Sequence, residues 1–337
     1  MIKFAPITDA DEWNNLTENH PEGNFLQSWQ WGEAHRLTGH AVERIAIHRD
    51  GLPVGCFQAI VREAKRGRYI EIPGGPLVDW SDNTIVQSMT DEIKMIARRQ
   101  RAVFVRIRPQ TEKAHGIVAN MKQFNWRPAP MHLHAEHTSI VDLTIDPDTL
   151  LKNMRQQTRY EVRRVVKRGI HIEWSSSLAA VREFHKLQTN TATRQHFIPS
   201  SLTFLEACQQ VFGDSLRVYY AKKDDQLLNM SIAIFYGNEA DYFEAASTLT
   251  ARKEPGAYGI IWRIIEDAQA LGLTRLNLWG IASSDSPSHR YAGVTTFKKG
   301  FGGTTMHYLP AHDLIINPLT YPLNWTVETI RRKRRKL

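Results

Sequence analysis

One structural plan occurs twice in this chain, about 175 residues apart, and no other feature limits its fold as strongly. The first copy reads as strands at 42–47, 54–62 and 69–72, with an Arg49-Asp50-Gly51 turn after the first. A helix at 84–99, an apolar strand at 102–107 and a helix near 114–124 follow. The second copy repeats the order, with strands at 216–221, 227–235 and 240–246 and a Lys223-Asp224-Asp225 turn. It continues with a helix at 257–271, a strand at 275–279 and a lysine-bearing helix at 288–299. Period-two alternation bounded by turn residues marks strands, and a 3.6-residue apolar period marks helices. Each half is therefore a mixed α/β unit. Two such units side by side create a cleft, the usual place for a ligand. The same elements are common enough that two halves can also resemble each other by chance.

The chain has 337 residues and a 42% hydrophobic composition, enough to bury two cores. No apolar run reaches the roughly 20 residues of a membrane span, and residues 1–13 lack a signal peptide's charged-then-apolar plan. Two cysteines, Cys56 and Cys208, do not make a disulfide framework. The expected compartment is the cytoplasm. The net charge is +8, but six positive charges lie in residues 331–336, and only +2 remains once these are set aside. A basic run of this kind is ordinarily a solvated tail. Its functional readings are contact with nucleic-acid phosphates or with anionic lipid headgroups. The preceding 321–330 stretch carries apolar residues including Trp325, which leans toward a membrane surface.

The expected division is a first unit over 1–145, a second over 146–316, and a C-terminal helix with its basic tail over 317–337 packing back on the first. Asp146-Pro147 reads as an N-cap followed by proline at the first helical position, so one helix is expected from 148 to 168, stopped by Gly169. Arg155, Arg159, Arg163 and Lys167 recur on it at i,i+4 steps. Like charges at that spacing repel unless anions neutralise them. A solvated face answers the pattern; so does a rail for phosphates.

Several short segments bear chemistry. Tyr291-Ala292-Gly293-Val294-Thr295-Thr296-Phe297-Lys298-Lys299-Gly300-Phe301-Gly302-Gly303 closes a helix on lysines. Taken alone it needs no function, since cations suit a helix C-terminus. Asn24-Phe25-Leu26-Gln27-Ser28-Trp29-Gln30-Trp31-Gly32 crowds polar and aromatic groups ahead of His35, although tryptophans are ordinarily core. His132 and His134 would share one face of a strand, as zinc ligands can, but no further ligand cluster follows and no metal is expected. The segment 252–259 offers helix N-terminal amides to an anion, in the manner of an acyl-coenzyme A pyrophosphate loop with imperfect spacing.

In order, Phe25-Leu26-Gln27-Ser28-Trp29-Gln30-Trp31-Gly32, Gly74-Gly75-Pro76, Thr158-Arg159-Tyr160, Tyr242-Phe243-Glu244-Ala245-Ala246-Ser247 and Phe297-Lys298-Lys299-Gly300-Phe301-Gly302 resemble the FemABX family across almost the whole chain. The resemblance implies two tandem GNAT-like domains in an α/β fold of mixed sheets, with a cleft between or along them. It implies transfer of an amino acid from aminoacyl-tRNA, used as co-substrate without a further cofactor, to the stem-peptide amine of a UDP-linked muropeptide or lipid II. By family position Lys298 would stabilise the developing oxyanion, with Phe297 shaping the pocket. Arg194, His35, Tyr242 and Trp31 would bind substrate, and Arg155, Arg159, Arg163 and Lys167 would touch tRNA or phosphate. The chain departs from the family's pattern at His35, where relatives often carry lysine. Histidine there implies weaker, pH-dependent phosphate binding near neutrality. It departs again at Arg108, where many relatives place an acid before Pro109, which bears on the acceptor's identity. Two other readings remain: an acyl-coenzyme A-dependent N-acyltransferase, and a non-catalytic protein binding tRNA or membrane.

Overall fold

A computed structural model describes residues 1–335 apart from 133, 196, 285, 287 and 288; of Arg252 and Arg335 only the backbone is described. Ser288, the expected start of the lysine-bearing helix, and Lys336 of the tail lie outside the described residues. The chain divides into two compact units. The first is Met1–Glu136 with His307–Leu337, and the second is His137–Met306.

The first unit runs β1 (Ile2–Pro6), α1 (Ala10–Glu18), α2 (Trp29–Leu37), β2 (Val42–Arg49), β3 (Leu52–Ala64), β4 (Gly67–Gly74) and β5 (Leu77–Val78). It goes on through α3 (Asn83–Arg99), β6 (Ala102–Pro109), α4 (His115–Gln123) and β7 (Trp126–Pro128). The second unit contains β8 (His137–Asp142), α5 (Pro147–Asn153), α6 (Gln156–Lys167), β9 (Ile170–Ser175), α7 (Leu178–Gln195) and α8 (Leu202–Phe212). It continues with β10 (Leu216–Lys223), β11 (Gln226–Tyr236), β12 (Glu239–Ser247), α9 (Gly256–Ala270), β13 (Arg275–Gly280), α10 (Ala292–Lys299) and β14 (Thr304–His307). The chain then returns to the first unit with β15 (His312–Ile315) and α11 (Tyr321–Arg335). Among the described residues, no helix is long and apolar enough to cross a membrane.

The duplicated plan is real at the level of topology. Each unit lays down antiparallel hairpin strands, then crosses through a helix to a parallel neighbour: β4 to β6 through α3, and β12 to β13 through α9. The sheet orders are β1-β2-β3-β4-β6-β15-β7, with β5 paired to β3, and β14-β8-β13-β12-β11-β10-β9. The amphipathic helices α3 and α9 bury their isoleucine stripes on these sheets, Ile85, Ile93 and Ile96 in the first and Ile260, Ile261, Ile264 and Ile265 in the second.

The expected boundaries shift. Residues 137–142, expected within the first unit, form β8 and pair antiparallel with β13 in the second sheet, and β15, within residues expected in the second unit, lies between β6 and β7 in the first. Both strands are short, and their partners lie far along the chain, so no local pattern announces them. The single helix expected at 148–168 is two. Met154 and Arg155 are extended, because Met154 turns into the core while the Arg155 amide donates to the Gly300 carbonyl at 2.9 Å. His132 and His134 are not on a strand.

In the first unit, the Gln27 carboxamide is inserted between two strands, accepting from the Gln58 amide and donating to the Pro73 carbonyl, each at 2.7 Å. Arg44 stacks 3.6 Å over the Trp29 ring and pairs with Glu33. A Cβ on Gly32 would sit 2.1 Å from Gln58 Oε1 and 2.3 Å from Arg44 Nη2, which explains the glycine there. This Gln-Ser-Trp segment is a structural knot.

Candidate functional site

The two parallel strand pairs differ in one respect that matters. In the first unit β4 and β6 stay paired from Arg68↔Ala102 to Gly74↔Pro109. In the second unit β12 and β13 pair only from Glu239↔Arg275 to Asp241↔Asn277, yet β12 runs on to Ser247. Beyond Asp241 the strands part, and among the described residues no strand pairs with β12 on its β13 side, although Thr191 and Arg194 engage its Ser247 end. Such an edge can take an extended ligand by backbone hydrogen bonds.

Of the expected second-unit residues, the structure brings Lys298 and Tyr242 together at this opening. Lys298, in the last turn of α10, is buried, and its Nζ donates to the Gly280 carbonyl at 3.0 Å and lies 5.8 Å from the centre of the Tyr242 ring. Tyr242 is the first β12 residue past the last parallel pair, and it too is buried. Burial disfavours the charged ammonium and pushes the Lys298 pKa down to about 7. Lys298 thus changes charge near neutrality rather than standing as a fixed cation. Phe297 is half-buried, edge-on to Tyr258 at 4.9 Å and Phe301 at 5.5 Å. Arg194 is exposed at the end of α7 and reaches the far end of the same strand, where its Nη2 donates to the Ser247 carbonyl and to Thr191 Oγ1.

The geometry around Lys298 is enforced from below. Trp279 holds a left-handed backbone with φ of 61°, a strained conformation for a bulky residue. Asn277 secures that kink: its Oδ1 accepts from the Trp279 amide at 2.9 Å and from Thr138 Oγ1 at 2.5 Å, and its Nδ2 donates to Glu239 at 3.2 Å. The kink delivers Gly280–Ala282 to α10, where Lys298 takes the Gly280 carbonyl and Thr295 Oγ1 accepts from the Ala282 amide at 2.8 Å. Two motifs also meet here, since a Cβ on Gly300 would lie 2.2 Å from Thr158 Oγ1. Sequence reasoning missed Asn277, Trp279 and Thr295. Their only signal was position at a strand end and on the lysine-bearing helix.

Glu244 is a further group that the sequence left unassigned. It accepts from Ser200 and, at 2.7 Å, from Gln188, and burial raises its pKa.

The basic stripe is not uniform. Arg155, Arg163 and Lys167 are exposed. Arg159 folds back instead, donating from Nη1 to the carbonyls of Lys152 at 2.9 Å and Met154 at 3.3 Å, so it caps α5.

The first-unit residues are placed differently. Trp31 is buried and edge-on to Phe25 and His35 at 5.3 Å, and to His134 at 6.3 Å. His35 is buried, with Nδ1 3.2 Å from Arg62 Nη1. Burial, with Arg62, His40 and His134 nearby, pushes its pKa down to about 2. The expected titration near neutrality is therefore corrected: His35 stays neutral through the physiological range. Arg108 is fully buried with its guanidinium 5.4 Å from the Tyr308 ring centre, and Arg106 is engaged in a buried ion pair with Asp313. Among the described residues, no group of three or more His, Cys, Asp and Glu side chains is arranged to hold a metal ion.

Comparison with known proteins matches the chain to a family. The FemAB family model matches residues 8–225 and 219–329. The chain is 27% identical over 206 residues to a lipid II:glycine glycyltransferase of Staphylococcus aureus, a match covering 58% of this chain and 49% of that protein. It thus spans about half the length of the curated relatives it matches. A solved structure of FemX superposes with a TM-score of 0.84 at 20% identity, over 97% of this chain and all of the other. A tandem GNAT protein from the clavulanic acid biosynthesis pathway superposes at 0.59 with 12% identity, over 94% and 99%. The structural likenesses establish the fold: an α/β chain of two GNAT-like units.

Proposed function

The chain belongs to the FemAB family, and from that premise we propose that it is an aminoacyltransferase of peptidoglycan synthesis. It moves an amino acid from aminoacyl-tRNA to the stem-peptide amine of a UDP-linked muropeptide or lipid II, building interpeptide bridges. It works in the cytoplasm, at the inner face of the membrane when the acceptor is lipid-linked. The neutral amine attacks the aminoacyl ester carbonyl and an oxyanion develops. The C–O bond to the tRNA ribose then breaks, the amine gives up a proton, and the ribose oxygen leaves as a hydroxyl. The protein's task is alignment and stabilisation of that oxyanion.

One observation carries the reading: a buried lysine, Lys298, set on the Tyr242 ring where two parallel strands part. Protonated, it is a cation in a poorly solvated place, where it acts more strongly on an oxyanion than it would in water. With a pKa near neutrality, it can also hand its proton to the leaving ribose oxygen. Phe297 shapes the surroundings of Lys298, Tyr242 and Arg194 bind the acceptor's nucleotide and pyrophosphate, and in the first unit Trp31 and neutral His35 bind substrate. Exposed Arg155, Arg163 and Lys167 receive tRNA phosphates.

The test is incubation with a mixed pool of charged tRNAs and a UDP-linked muropeptide, with mass spectrometry of the product. A mass increase of one or more aminoacyl residues on the muropeptide is expected. Acyl transfer from acyl-coenzyme A alone, with none from charged tRNA, would overturn the reading.

A further inference from the structure

Helix α11 has two unlike sides. Its inner side is anchored to the first unit at positions 321, 324 and 328. The Tyr321 hydroxyl donates to Asp313 Oδ2 at 2.9 Å, Asn324 Oδ1 accepts from Arg66 at 3.0 Å, and Glu328 pairs with Arg106 at 2.8 Å. That i, i+3, i+7 stripe fixes the helix's rotation about its axis. Leu323, Val327, Ile330 and Arg334 follow at i, i+4, i+7 and i+11 on one flank, continuing from Leu319 just ahead of the helix. Leu319 is 90% exposed, Leu323 60% and Ile330 45%. Trp325 is 46% exposed on the other flank. Past them Arg331, Arg332, Lys333 and Arg334 are all exposed.

A water-facing helix does not ordinarily display an exposed leucine-isoleucine flank beside a run of cations. The pattern belongs to a helix lying in a lipid interface, where apolar groups enter the acyl boundary and cations meet headgroup phosphates. Nucleic acid would answer the cations but leave the aliphatic flank in water. We propose that α11 is a membrane-docking surface for anionic lipid, with Leu319, Leu323 and Ile330 entering the bilayer interface and the exposed cations that follow, Arg334 on the same flank, within reach of the headgroups. The three inner contacts are what the surface is mounted on: they hold the flank outward without using its apolar side chains.

The test is flotation of the full chain with vesicles of phosphatidylcholine alone or mixed in equal parts with phosphatidylglycerol. Binding is expected to the mixed vesicles, to weaken with salt, and to fall at least tenfold in the double variant Leu323→Glu, Ile330→Glu with an unchanged melting temperature. A charge variant with glutamine at 331–334 is expected to bind the two vesicles equally poorly. Binding that survives the double variant overturns the proposal, as does a double variant that loses uncharged tRNA and vesicles to the same extent. The measurement needs neither a charged tRNA nor an acceptor. A failed transfer reaction with intact flotation therefore removes the enzymatic reading and leaves this surface standing; the converse result does the reverse.

Discussion

At the residue scale the centre of interest is a lysine held where its charge is costly. Burial lowers the Lys298 pKa from its ordinary 10.5 to about 7. Between those values the unfolded chain binds a proton that the folded chain does not, so folding stability rises with pH across that window and carries its full penalty below it. Lys298→Met is therefore expected to raise Tm at pH 7, with a gain that shrinks toward pH 10. Transfer should fall by about 10²-fold, the cost typical of one lost oxyanion contact. Melting curves at several pH values and steady-state rates check both halves, and a variant of unchanged rate would remove Lys298 from the chemistry. Asn277 is expected to act through its neighbour. Asn277→Ala deprives the Trp279 amide and Glu239 of a shared partner, costs about 2 kcal/mol on denaturant unfolding, and lowers kcat more than it alters KM. The sequence marked Lys298 through its motif and said nothing of Asn277, whose role depends on a backbone kink.

At the element scale, helix breaks and caps decide which charges are available. The i,i+4 pattern of Arg155, Arg159, Arg163 and Lys167 looks like one face, and on an unbroken helix it would be. The break at Met154–Arg155 lets the Arg159 guanidinium donate to the last carbonyls of α5. Arg159→Ala should cost about 1 kcal/mol of stability with no specific effect on the salt dependence of tRNA binding. Arg163→Ala and Lys167→Ala should leave Tm nearly unchanged while each reduces that salt slope by about one. Thermal melts and binding titrations over a salt series separate the two classes. The break was not legible because its cause, the Gly300 carbonyl taking the Arg155 amide, lies almost 150 residues away.

At the scale of the whole molecule, each sheet is completed by a strand from outside its local run. β15 brings Asp313 against Arg106 in a bidentate pair at 2.7 Å, with Glu328 of α11 joining at 2.8 Å. Arg106→Met would strand the fully buried Asp313, at an expected cost of about 3–5 kcal/mol, and loosen α11. Hydrogen exchange should show the amides of 321–335 losing protection before those of α9 in the second unit. A variant that melts as one unit with native protection in α11 would contradict this account of the anchor.

The amino-acid order alone determined the repeated strand-and-helix plan, the Asp146 cap and Gly169 stop, and the family motifs that single out Lys298. These rest on side-chain periodicity and turn chemistry, which act over a few residues and can be read without knowing what packs where. Only the tertiary structure decided that β8 and β15 cross to the other unit's sheet, that His35 is neutral, that Arg159 is spent on a cap, and that β12 and β13 part beside Lys298. Each of those depends on partners distant in the chain. Burial, which sets both the pairing and the protonation, is a property of the assembled core and of no segment within it.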